Sequence, residues 1–438
     1  MTVKKTALQA ITLAKRHGAD DARARVGSSD TTRVEWRDGK MERIRNSSRT
    51  SLDLEIFVDG RYSSNSTSDL RESALSSFVK DAVAMTRVLA PDPHRKLPPK
   101  SLCADGSVNV PGIYDEKGAS ADIEECKETA RELEKAVRRE AGAKGVASSN
   151  GQSTFVISER SIAMSNGSED YERETSFSSV ADVSVKEEGR TQPGWDYARA
   201  RMLGDLPTPG EIGKEAAHRA ISHMGSGPVS TGEYPFIIEN KAGGRLISMF
   251  LTALRGSLIQ QDKSWAKQRR GDKVGSGLLT IVDDPLYPGG VRSTAFDGEG
   301  LKSKTLPLFE GGVLKNFLLD TYYASKLERE PTTGGWSNLI FEKGDKDLSA
   351  LMKEMGEGIL ITGFLGGNSN PATGDFSVGI RGLFIEKGKP EKAVAGMNLS
   401  GNHQEFWKGL SELGSDNFVY GNPRMPSLLF SSGSFSGI

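Results

Sequence analysis

Residues 4–17 place Ala7, Leu8, Ile11 and Ala14 on one face of a 3.6-residue repeat, with Gly18 where a helix would stop. The period drops to two over 51–58, so Leu52, Leu54, Ile56 and Val58 are expected to share the buried face of a strand. A shorter strand-like run covers 33–37. The dipeptides Asp38-Gly39 and Asp59-Gly60 that follow these runs predict hairpin turns. Asp69 and Glu72 have the spacing of a capping box. They open a predicted helix with Leu70, Ala74, Phe78, Ala82, Met85 and Leu89 in period, ending before Pro91. Positions 91–111 are Pro-rich and aperiodic, the pattern of a surface loop. A helix is predicted from Asp122, with Ile123, Cys126, Leu133 and Val137 as its apolar stripe. Alternation over 154–157 and 176–185 predicts antiparallel strands. Thr208-Pro209 then starts a helix that runs to Met224 and stops at Gly225.

Gly225-Ser226-Gly227-Pro228 is the clearest break in the pattern. It divides the chain into an N-terminal α+β domain, 1–225, and a C-terminal domain, 228–438. The second part is Gly-rich and carries short β-type runs, with helices expected only near 241–255, 321–328 and 403–413. The predicted fold class is therefore α+β, a mixed domain followed by a sheet-rich domain with inserted helices. A length of 438 residues, too great for one ordinary core, agrees with two domains.

Composition narrows the function classes. Lysine and arginine number 57 against 58 acidic residues, so no strongly basic face for nucleic acid is expected. No apolar run is long enough to span a bilayer. Lys4 and Lys5 near the start are not followed by the apolar stretch of a secretory signal. Cys103 and Cys126 are too few for a disulfide framework, and Cys126 falls on a helix stripe as a small core residue. A cytoplasmic protein is expected.

The chemistry-bearing side chains are sparse. His218 and His223 lie on one predicted helix, but five residues turn them roughly 140° apart, off a common face. His17, His94 and His403 have no Cys or His at ligand spacing. Gly225-Ser226-Gly227 is a broken form of the nucleophile-elbow motif, and Gly275-Ser276-Gly277 lacks its strand-to-helix setting. Lys267, Arg269, Arg270 and Lys273, beside Trp265, are diluted by Asp272 and read as a solvated loop. Gly363-Phe364-Leu365-Gly366-Gly367 lacks phosphate-loop spacing and suits tight turns or close backbone approach.

The second half carries the runs Thr231-Gly232-Glu233-Tyr234-Pro235-Phe236-Ile237-Ile238, Thr280-Ile281-Val282-Asp283-Asp284-Pro285, Phe296-Asp297-Gly298-Glu299-Gly300 and Gly312-Val313-Leu314-Lys315-Asn316-Phe317-Leu318. They resemble the TldD/PmbA family. Thr373-Gly374-Asp375-Phe376-Ser377, Gly382-Leu383-Phe384-Ile385-Glu386-Lys387-Gly388, Gly401-Asn402 and Gly414-Ser415-Asp416-Asn417 follow in the order of the PmbA (TldE) branch. In the TldD branch, a helix between the first two runs carries a His-Glu-x-x-x-His zinc motif. Here the segment 243–256 reads GGRLISMFLTALRG, and alignment on its end glycines puts Ile247, Ser248 and Thr252 at those three positions. Isoleucine has no lone pair, and hydroxyls are poor zinc ligands beside imidazole and thiolate. That branch also has a zinc-binding Cys near its C-terminus, where this chain reads Phe418-Val419-Tyr420-Gly421-Asn422-Pro423.

The resemblance implies a two-domain unit that dimerises around an internal cavity, as a homodimer or with a TldD-type subunit. It implies peptide substrates, no cofactor bound by this chain, and zinc in the TldD-type partner. Arg255, Trp265, Arg269 and Arg270 would then lie at the cavity rim or dimer interface. The family roles are proteolysis of unfolded or small peptides and an association with DNA gyrase.

Overall fold

The protein, described here from a computed structural model over residues 2–142 and 145–437, begins with helix α1 (Val3–Arg16), capped by the Thr2 hydroxyl. Gly18, at φ +89°, ends it. Strands β1 (Asp21–Arg37) and β2 (Lys40–Val58) form a hairpin across Asp38-Gly39, and β3 (Arg61–Thr67) follows Asp59-Gly60. All four turn residues have positive φ, the two-residue geometry whose twist matches the strands it joins. β1 and β2 are far longer than the runs 33–37 and 51–58. Burial, and with it apolar alternation, is concentrated at one end of β2, while its first half is exposed.

Helix α2 (Glu72–Thr86) departs from its prediction in two ways. Its cap is Arg71 without a side-chain bond, and Asp69 accepts instead from the Arg71 amide and guanidinium. No capping box forms. Its buried stripe is Leu75, Val79, Ala82, Val83 and Thr86, whereas Met85 and Leu89 are exposed. The helix is rotated by about one position from the expected face.

Helix α3 (Ile123–Ala141) starts where expected, with the Asp122 carboxylate accepting from the Glu124 and Glu125 amides. Strands β4 (Val146–Met164), β5 (Glu169–Glu187) and β6 (Arg190–Ala200) follow, again longer than the alternating stretches 154–157 and 176–185. Helix α4 (Pro209–Ser222) has a complete capping box between Thr208 and Glu211, and it stops two residues short of Met224. The sheet order is β3-β2-β1-β4-β5-β6, antiparallel throughout.

Register places all four helices on one face of this sheet. Ala22, Ala24 and Val26 meet α1 and α2, and Val34, in the same phase of β1, meets Cys126 of α3. Leu133 and Val137 of α3 and Ile212 and Ala216 of α4 pack on Ala181, Val183 and Ala198. Gly151 lets α3 approach, because a Cβ there would lie 2.3 Å from the Ala130 carbonyl oxygen; Gly194 does the same for α4 at the Ala220 amide. The opposite face carries Arg23, Glu55, Arg160 and Glu172, and it meets the second half of the chain.

That half holds β7 (Gly232–Ile238), α5 (Gly244–Thr252), α6 (Gly256–Gln260), β8 (Ile281–Asp283), β9 (Leu306–Glu310), β10 (Val313–Leu314), α7 (Thr321–Lys326) and β11 (Leu339–Phe341). Then come α8 (Leu348–Met355), β12 (Gly358–Ser369), β13 (Asp375–Glu386), β14 (Lys389–Asn402), α9 (His403–Phe406), β15 (Leu410–Leu413), β16 (Pro423–Arg424) and β17 (Leu428–Gly437). A small sheet runs β10-β9-β8-β11-β16. A larger one runs β14-β13-β12-β7-β17-β15, and pairing of β14 with β17 closes five of its strands into a barrel. Phe236 and Phe430 stack there at 4.8 Å, in a core shared with α5, Phe250 and Trp407. The expected helix 403–413 is only α9 and a short 3-10 turn before β15, and α8 has no counterpart in the pattern reading.

Buried polar contacts join the two halves. The Glu172 carboxylate accepts from Arg160 Nε at 2.5 Å, Thr294 Oγ1 at 3.0 Å and the Ala295 amide at 2.9 Å. Arg23 pairs with Glu55 at 2.5 Å and donates to the Glu299 carbonyl at 2.9 Å. Arg201 pairs with Glu174 and donates to the Gly290 and Ser293 carbonyls. Among the described residues, no helix is long and apolar enough to cross a membrane.

Candidate functional site

Helix α5 is short, nine residues, and its apolar positions decide how it sits. Leu246, Ile247, Phe250 and Leu251 are buried against the barrel core and the small sheet. Ile247 is fully buried, so the first of the three zinc-motif positions points into hydrocarbon. Ser248 borders a cleft of about 360 Å³ with Arg255, Arg292, Trp336, Asn422 and Pro423. Thr252 donates its hydroxyl back to the Ser248 carbonyl at 2.7 Å, a local bond that occupies its proton.

The C-terminal loop reaches the same place. Leu339 of β11 pairs with Pro423 of β16, and Asn422 Nδ2 donates to the Ser337 carbonyl. Two segments far apart in sequence, α5 and the loop before β16, thus flank one cleft. Neither brings it an imidazole, thiolate or carboxylate: the donors at the cleft are hydroxyl, amide and guanidinium groups. Among the described residues, no three His, Cys, Asp or Glu side chains gather in a way that could hold a metal ion. This donor set does not fit zinc.

Arg292, Gly335 and Trp336 also line a larger cleft of about 540 Å³ between the first sheet and the second half. Its wall includes Asp283, Asp297 and Glu299, whose carboxyls are all pushed up from the ordinary range by burial. Asp297 accepts from the Glu299 and Leu301 amides, and Glu299 anchors Thr321, so both serve the local fold. Asp283 is moved from 3.8 to about 6 by burial, although Ser337 donates to it twice, from its amide and its hydroxyl.

The fold disfavours ionised Asp283, so the stability it contributes below about pH 4 is lost as pH rises through about 6. Asp283→Asn keeps an oxygen to accept from Ser337 and removes that loss. It should raise stability by about 1–3 kcal/mol at pH 8 and by little at pH 4. Urea unfolding of both proteins at the two pH values measures the difference; an equal effect at both would show that charge is not the cause.

The remaining sequence candidates fall in different environments. Arg255 lies at the cleft, its guanidinium carbon 5.6 Å from the centre of the Trp336 ring. Trp265 is a core residue stacked on Phe250 at 5.9 Å. Arg269 and Arg270 are exposed, bonded to Gln404 and to the Lys315 carbonyl. His218 and His223 are not brought together as ligands. His223 is buried, with Nδ1 2.6 Å from the Arg219 carbonyl and Nε2 2.8 Å from Thr362 Oγ1, and burial lowers it to about 4. No local pattern marks Arg292 and Trp336, since each lies in a loop without periodicity, whereas Asp283 belongs to the run Thr280–Pro285.

Three family models match in succession: PmbA/TldA metallopeptidase domain 1 over 22–86, the central domain over 116–224 and the C-terminal domain over 231–437. The chain belongs to the PmbA/TldD family. It is 26% identical to the metalloprotease PmbA of Escherichia coli O157:H7, over 94% of this chain and 91% of that one. A crystal structure from Bacteroides thetaiotaomicron, named for a modulator of DNA gyrase, matches with 35% identity and a TM-score of 0.94, covering 99% of each chain. TldE from Thermococcus kodakarensis shares the fold, with a TM-score of 0.88 at 20% identity over 99% of this chain and 100% of that one.

Proposed function

We propose that this chain is the non-catalytic, TldE-type subunit of a two-subunit zinc peptidase that acts on unfolded or small peptides in the cytoplasm. The observation that carries the reading is the cleft beside α5. Family membership leads one to look for metal ligands on that helix and the loop before β16, and the chain presents Ile247, Ser248, Thr252 and Asn422 there. Zinc, on this reading, is held by a TldD-type partner.

The free edge of β2 supports a role in holding extended chains. Among the described residues, β3 pairs only with 52–58, which leaves the outer edge of 40–51 open, and residues 40–49 are exposed. Such an edge can pair with another backbone, whether a partner subunit or a peptide. The gyrase link in the name of the Bacteroides protein extends to this chain, in our reading, through peptides or proteins, since the near-neutral charge balance does not favour direct DNA binding. Affinity purification of the tagged chain from its host should recover, in equal amount, a homologous subunit bearing His-Glu-x-x-x-His. Recovery of the chain only with itself would favour a homodimeric peptide-binding protein instead.

A further inference from the structure

A second pocket, of about 210 Å³, lies where β6, the end of α4, the start of α5 and the β12–β13 ladder meet. It shares no lining residue with the clefts described above. Four cations line it. Two are neutralised: Arg219 by Glu239 at 2.6 Å and Glu215 at 2.9 Å, and Lys241 by Asp196 at 2.6 Å. The other two, Arg245 and Arg381, have no carboxylate within ion-pair distance among the described residues. Each makes only a bond to a carbonyl, Arg245 to Gly367 at 3.0 Å and Arg381 to Pro193 at 2.6 Å. Arg381 is half-buried, so water compensates its charge poorly.

Apolar surface stands beside this charge. Trp195 is 55% exposed, and its ring stacks on Tyr197 at 5.6 Å with 27° between planes. Phe364 and the exposed Leu365 supply further apolar lining. An exposed tryptophan fixed by a stacking neighbour is a ready platform for a flat ring. His223 at this pocket has both ring nitrogens engaged and adds no charge.

We propose that this pocket binds a small aromatic carboxylate, with the acid group on Arg381 and Arg245 and the ring against Trp195. Guanidinium groups match a carboxylate with paired donors, and the excess of unpaired positive charge selects an anion over a neutral or cationic analogue. The volume lies below the roughly 300–1,000 Å³ of drug-sized sites, which suits one ring system with its acid. The proposal does not depend on the peptidase reading.

The test is calorimetric titration of the intact chain with indole-3-acetate, indole-3-acetamide, tryptamine and inorganic phosphate. Indole-3-acetate should bind at millimolar concentration or better, and the amide and amine at least about tenfold more weakly. Arg381→Gln and Trp195→Ala should each weaken the acid about tenfold or more, with melting temperatures recorded as controls. Arg245→Gln alters an exposed side chain and should weaken the acid even if Arg381→Gln fails to fold. Equal binding of acid and amide, no binding by about 10 mM, or unchanged affinity in folded Arg245→Gln and Trp195→Ala would each overturn the proposal. Phosphate binding as tightly as the aromatic acid would overturn it too, since the ring would then contribute nothing.

Discussion

A mixture of this chain with a TldD-type subunit should cleave flexible peptides, whereas the chain alone should not. Each preparation is incubated with an unstructured, end-labelled peptide, and products are followed by mass spectrometry. The expected difference is all or none, because three protein ligands and an activated water are the usual working set for catalytic zinc. Writing the motif back, with His at 247, Glu at 248 and His at 252, should not restore activity. Ile247 lies fully in the core, so a histidine there buries an imidazole among Phe and Leu side chains, and no thiolate waits in the loop before β16. Adding a cysteine within 419–422 supplies a ligand without the supporting contacts that orient one. Chelator-sensitive hydrolysis by the unmodified chain, with contaminating proteases excluded, would contradict the assignment.

The second large effect concerns the junction that shapes the clefts. Glu172 reaches from β5 to Thr294 and the Ala295 amide while holding Arg160, all through one carboxylate. Glu172→Ala leaves Arg160 Nε and the buried Ala295 amide without their acceptor, while Arg160 Nη2 keeps the Phe296 carbonyl. Breaking a buried pair typically costs about 3–5 kcal/mol, but the Arg160 side chain is 35% exposed and water recovers part of this. A loss of about 2–4 kcal/mol is expected, read as a lower urea midpoint at unchanged slope. Glu172→Gln, which keeps acceptor and shape, should lose less. A midpoint within error of wild type in the alanine variant would show that this contact does not hold the halves together.

Much of the fold was legible wherever local chemistry and burial agree. Thr208-Pro209, Asp122, Asp38-Gly39 and Asp59-Gly60 mark their caps and turns by mechanisms confined to a few residues, and each sits as read. The α2 stripe misled because Ser, Ala and Phe allow two adjacent faces, and tertiary packing selected Leu75 and Val79 over Ala74 and Phe78. Strand lengths were underread for a related reason. Beyond the buried end of β2 the ladder continues through Arg, Asn and Ser, held by backbone bonds that leave no apolar period. The closure of β14 on β17 and the meeting of α5 with the loop before β16 link residues far apart in sequence, where no local pattern can register them.

At the candidate site, the sequence named the positions on α5 through family resemblance, and the structure supplied their surroundings. It separates the buried Ile247 from Ser248 at the cleft, and it adds Arg292 and Trp336, which no motif had marked. Elemental analysis of the purified chain, after dialysis against a dilute chelator, decides whether the site beside α5 is metal-free. No stoichiometric zinc or other transition metal is expected. About one tightly held zinc per chain, resistant to the chelator, would contradict that expectation.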